Sequence, residues 1–160
     1  MTPAIANKII VEPKWPIAKV QEASAKAVAR EFLAAFSVLC KHGKEAVEGF
    51  QQAMHAQKLE YYKSLGIKTP IELVKAMAEY ESNVFGSKIE IWGDEKQASL
   101  SYTQCGMWNA MKELGKMTPE MEEKMGTWFQ TCVTNLGKDF GFTGEVNFEG
   151  ETSALVTFTK

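Results

Sequence analysis

The chain has little of what usually announces a chemistry. Three cysteines, Cys40, Cys105 and Cys132, occur among 160 residues. They are odd in number and widely spaced, with no CxxC pair, so neither a disulfide framework nor a metal finger organises the chain. Two histidines, His42 and His55, limit imidazole chemistry to two places. No run of Lys/Arg exceeds two residues, and 18 basic against 20 acidic groups leave a net charge of -2. A surface without a positive field excludes nucleic acid as the expected partner. No segment approaches the ~18 continuous apolar residues of a membrane span, and Met1 to Trp15 lacks the apolar run and small-residue cleavage site of an export signal. A cytoplasmic chain without membrane contact is the expectation.

What is present is a globular composition and a clear change of period along the chain. At 160 residues a single domain buries roughly 70% of the surface its unfolded chain exposes, enough for one core without staples. Residues 1–16, closed by Pro13 and Pro16, read as an extended arm that packs on the body or reaches a second subunit, and residues 17–160 as one domain. Val20, Ala27, Val28, Phe32, Ala35, Phe36 and Leu39 recur at helical spacing up to His42, and Gly43 stops the run. A second helix, from about Lys44 to Leu65, carries Val47, Phe50, Met54 and Tyr61 and is capped by Gly66. Only a short turn separates the two, so they form an antiparallel hairpin.

Thr69, Pro70 and Glu72 make a capping box with proline at the first helical position, opening a third helix that Phe85-Gly86 closes. The period then drops to two. Ile89 and Ile91 alternate with charged residues, Gly93 to Lys96 turn the chain, and Ala98, Leu100 and Tyr102 alternate with Ser99, Ser101 and Thr103. A short helix from about Cys105 to Leu114 follows, then a longer one opened by Thr118-Pro119 and expected to end before Gly137, then a second hairpin through Val146, Phe148, Val156 and Phe158.

Residues 69–103 and 118–159 share an order of signals: Thr-Pro, Phe-Gly, a Glu followed by a branched apolar residue, a turn, and an aromatic-Thr pair. The offset grows from 49 at the helix start to 55 at the first strand and 56 at the last. The expected fold class is α+β: N-terminal helices and two helix-plus-hairpin units forming a four-stranded antiparallel sheet covered by helices on one face. A pocket where the layers splay apart is the default place for a small-molecule ligand.

Cys105 is the candidate nucleophile, because it follows a strand and opens a helix, whose N-terminal dipole and free N–H groups lower a thiol's pKa. His55 follows Glu48 by seven residues and Gln52 by three, all on one polar helical face. Gln52 stands where a Glu-x-x-His di-iron motif needs a carboxylate, which excludes that centre. His55 is the base that would pair with Cys105, and Asp139 and Glu145 are the carboxylates nearest the expected cleft. Cys132 reads as a packed thiol; meeting Cys105 it would bind zinc or exchange redox equivalents, but two further ligands are not supplied. No metal and no defined cofactor is therefore assigned. Met107, Met111, Met117, Met121 and Met125, with Trp108, Trp128 and Phe129, concentrate five of the eight methionines in nineteen residues. Such a set builds plain core, the adaptable wall or lid of an apolar pocket, or a dimer interface.

The order of a helical first half, a hairpin ending near Cys105, a helix with Cys132, then Asp139 and a closing hairpin turning at Gly150 resembles the L-2-amino-thiazoline-4-carboxylic acid hydrolase-like group. It is similar in outline to the 4-vinyl reductase type of small-ligand domain. The resemblance spans about residues 30–159. It implies a cytosolic bacterial or archaeal domain that acts on or senses a small organic molecule, with hydrolysis of a C–N or C–S bond as the reaction. The final strand, Ala154 to Phe158, departs from the pattern in having no thiol. Against a thiol-dependent hydrolase stand a non-catalytic binding or sensor domain for an apolar or aromatic molecule, and a structural homodimer joined through the N-terminal arm.

Overall fold

The computed structural model describes residues 12–150 and 153–160. Most of the anticipated arm, residues 1–11, lies outside them; residues 12–16 are exposed and non-helical. The described chain runs α1 (Ile17–Lys41), α2 (Lys44–Ser64), α3 (Pro70–Phe85), β1 (Lys88–Gly93), β2 (Gln97–Gln104), α4 (Gly106–Glu113), α5 (Pro119–Asp139), β3 (Thr143–Phe148) and β4 (Ala154–Thr159). The fold is α+β, with one antiparallel sheet in the order β1-β2-β4-β3.

Local chemistry sets these boundaries. Thr69 Oγ1 accepts from the Glu72 N–H while the Glu72 carboxylate accepts from the Thr69 N–H, completing the capping box of α3. Asp94 Oδ1 accepts from the N–H groups of Lys96 and Gln97, closing the first hairpin turn. Thr118 caps α5, but that helix does not stop before Gly137; it continues to Asp139. The reason is packing. Gly137 lies against the backbone of Gly144 on β3, and a Cβ on Gly137 would sit 2.8 Å from the Gly144 nitrogen. Here glycine serves helix–strand approach, not termination.

The two hairpins meet through β2 and β4. Leu100 stands opposite Val156, the residue that the sequence offset of 56 assigns as its counterpart, so a local twofold axis passes through that pair. Ala98, Leu100, Tyr102, Ala154, Val156 and Phe158 face the helices and are buried. Ser99 and Thr157 pair on the opposite face, their hydroxyls 2.9 Å apart.

Two cores adjoin under the helices. The larger packs the inner sheet face against Tyr62, Leu73, Val74 and Met77 and against Val133 and Leu136 of α5. The smaller fills the space between α1, α4 and the first half of α5 with Ala25, Ala29, Leu33, Phe36, Ala110, Met111, Met125 and Trp128. Phe32, Phe36 and Phe50 surround Trp128 at centroid distances of 5.0 to 5.9 Å.

Two glycines distinguish approach from mere flexibility. A Cβ on Gly144 would lie 2.5 Å from the Val133 carbonyl oxygen and 2.9 Å from the Phe158 ring, whereas Gly49 in α2 has open space. Gly144→Ala is expected to lower stability by about 2 kcal/mol through overpacking, and Gly49→Ala to raise it by about 0.5–1 kcal/mol through helix propensity. Urea unfolding followed by circular dichroism reads both signs.

Candidate functional site

Two helices turn matching polar stripes toward each other. On α2, Glu48, Gln51, Gln52 and His55 are spaced i, i+3, i+4 and i+7. On α5, Trp128, Thr131, Cys132 and Asn135 repeat the same spacing. Between them runs a groove of about 330 Å3 lined by these eight residues. Because α5 continues past Gly137, Asp139 extends its stripe by one more turn and meets His55, whose Nε2 lies 2.7 Å from Asp139 Oδ2. The imidazole is largely buried, with 19% of its side chain exposed, and the carboxylate has 36% exposed. In the neutral ring, a carboxylate on Nε2 selects the tautomer with its proton there and leaves Nδ1 as an acceptor.

Of the residues anticipated from the sequence, the structure thus joins His55 to Asp139 and places Cys132 and Trp128 in the same groove. Cys132 and His55 make no hydrogen bond among the described residues. Cys105 is elsewhere. It caps α4, its sulfur accepting from the Trp108 N–H at 3.5 Å, and it packs against the larger core. The expectation that the helix N-terminus lowers its pKa is not met: burial pushes the thiol up to about 11, and the Glu81 carboxylate adds to the rise, against the lowering effect of the backbone N–H groups of Trp108 and Met107. Glu81 is itself raised by burial, opposed by Lys58 and by the Ser87 hydroxyl. Ser87 donates to Glu81 Oε2 at 3.4 Å and accepts from the Gly106 N–H at 3.0 Å, tying the end of α3 to the start of α4. Cys132 is also raised by burial, with Lys58 and the neighbouring Trp128 indole opposing. The Trp108 indole N–H is buried with no hydrogen-bond partner among the described residues.

The methionine and aromatic set divides. Met111, Met125 and Trp128 are buried in the smaller core, with Met107 and Trp108 packed against it, while Phe129 turns to the larger core beside Tyr102. Of the set only Trp128 lines this groove; the methionines pack between helices in and around the smaller core. Glu145, on β3, is not among the groove residues. A second groove, about 370 Å3 between α1, α4 and the α3–β1 junction, holds Lys26 between Glu22 at 2.6 Å and Glu113 at 3.2 Å. Its central charges satisfy one another. Thr131 and Asn135 escaped the sequence reading, although their spacing from Trp128 was a signal available there.

The residues offer amides, a hydroxyl, a thiol and an oriented imidazole beside an aromatic surface. Among the described residues no group of three or more His, Cys, Asp or Glu side chains is arranged to hold a metal ion, and no helix is long and apolar enough to cross a membrane. No protein-family model matches the chain, and no curated protein matches it.

The thiols should separate by reactivity. Cys40 is exposed, whereas Cys105 and Cys132 are partly covered. Iodoacetamide at pH 8 is expected to modify Cys40 first and Cys105 at least ~100-fold more slowly, the ratio that a two-unit rise in thiol pKa imposes. The same rise makes folding pH-dependent. The folded protein keeps the Cys105 proton that the unfolded chain loses above its ordinary value of 9.0, so stability is full below about pH 9 and falls toward pH 11. Comparing the urea midpoints of wild type and Cys105→Ala across that window isolates this contribution.

Proposed function

We propose that the chain is a small-molecule-binding domain whose ligand lies in the α2–α5 groove. The observation that supports this reading best is the His55–Asp139 hydrogen bond, which orients an imidazole in a groove walled by Trp128. Gln51, Gln52 and Asn135 supply paired donors and acceptors; Glu48 adds an acidic group, and the lining contains no lysine or arginine. That combination suits a neutral or cationic organic molecule with a flat apolar part against the indole and nitrogen or oxygen functions toward the amides.

The non-catalytic binding reading is preferred to the thiol-dependent hydrolase. Both partly covered thiols are raised by burial and therefore protonated near neutral pH, which removes the activation that a nucleophilic cysteine needs. A cytoplasmic setting suits three unpaired thiols, one of them exposed.

The test is a screen of small heteroaromatic compounds by two-dimensional NMR, with the His55 imidazole and Trp128 indole resonances as reporters. Binding compounds are expected to shift both together, and Asp139→Asn to weaken them by about tenfold, the loss of one hydrogen bond to an oriented group. Compounds that bind while leaving both resonances unmoved, or that bind the variant equally well, would refute the assignment. Turnover of a C–N or C–S substrate that Cys105→Ala abolishes would restore the hydrolase instead.

A further inference from the structure

The surface holds one concentration of apolar side chains unrelated to the groove. Trp15, Ile17, Val20, Val28 and Val38 are all exposed, Ile17 by 69% and Trp15 by 58%, and they account for five of the eleven large hydrophobic residues in that state among the described residues. All five belong to α1 or its lead-in. On a helix of 3.6 residues per turn, Ile17, Val20, Ser24, Ala27, Val28, Glu31, Ala35 and Val38 form one continuous stripe, turned away from the buried Ala25, Ala29, Leu33 and Phe36. α1 therefore has two apolar faces, and among the described residues only one of them meets the core.

We infer that the outer face of α1 joins a second copy of this chain, with the two helices packed antiparallel about a twofold axis between Ala27 and Val28. The stripe is complementary to itself in that arrangement. Residues whose numbers add to 55 face one another: Ile17 meets Val38, Val20 meets Ala35, and Ala27 meets Val28, which sets larger side chains against smaller ones along most of the seam. Glu31, the one charged residue in the stripe, falls opposite Ser24, the one hydroxyl, so its carboxylate meets a donor instead of a like charge. A parallel pairing loses this: it stacks Glu31 on Glu31.

The area is sufficient as well as the pattern. The exposed residues of the stripe with Trp15 present on the order of 500 Å2 of apolar surface, the upper part of the range for a patch on a monomer. Two copies together bring roughly 1,000 Å2, the floor for a specific interface of good complementarity. The helix, 25 residues and about 37 Å long, makes that contact narrow and continuous. This interface needs no exchange of the N-terminal arm, and it leaves the α2–α5 groove of each copy open.

The experiment uses the full chain. Sedimentation or light scattering is expected to return twice the 17.8 kDa chain mass at micromolar concentration, and Val20→Glu with Val28→Glu to return the single mass with an unchanged far-ultraviolet spectrum. Register is read by oxidation in a Cys40→Ser background. Ala27→Cys is expected to cross-link to itself, because its partner's position is one residue away along the axis. Ile17→Cys should not, since antiparallel copies hold those positions about 30 Å apart. A monomeric wild type, a dimer that survives the double glutamate change, or cross-linking through Ile17→Cys and not Ala27→Cys overturns the proposal. So does a monomer that sediments with phospholipid vesicles, which would make the stripe a lipid-facing helix.

Discussion

Everything else in the molecule depends on the pairing of β2 with β4. Each hairpin alone is two strands with one apolar face, a unit too small to persist in water. Side by side, the two central strands bring Leu100, Val156 and Phe158 to full burial and create a surface wide enough to seat α3 and α5. The remaining strands follow as edges. Leu100 pairs with Val156, and burial of one face of each central strand sets the register between the hairpins. A slip of β4 by one residue would turn Val156 and Phe158 away from the helices and separate the Ser99–Thr157 hydroxyl pair on the outer face.

Much of this was legible beforehand because the signals are local. Thr69-Pro70-Glu72 specifies a helix start by its own hydrogen bonds, and the alternation of Ala98, Leu100 and Tyr102 with serines and threonine specifies a half-buried strand. What could not be read is where a local signal yields to contact. Gly137 has the credentials of a helix stop, but in the fold its missing side chain admits the backbone of Gly144 from β3 and the helix runs on to Asp139. That single misreading moved Asp139 from a helix onto a loop, and with it the geometry of the site. Cys105 shows the same limit in electrostatics: its place at a helix N-terminus was read correctly, but enclosure by the core outweighs the backbone donors, and enclosure is a property of the fold.

The candidate groove is accordingly a product of two helices whose stripes were partly visible singly. Glu48, Gln52 and His55 stood out as one polar face of α2; what faced them did not, since the match with Trp128, Thr131, Cys132 and Asn135 depends on how α2 crosses α5. The methionines illustrate the converse. Their density left core, pocket wall and dimer interface open; a flexible thioether suits the irregular gap between three helices of different length, and that is where Met111 and Met125 are found.

α5 touches each of these features. Its Met125 and Trp128 belong to the smaller core, its Val133 and Leu136 to the larger, and its polar stripe to the groove. Two cores that share one rigid rod cannot loosen independently. Opening either core disturbs the helix that the other packs against, so α5 couples the two.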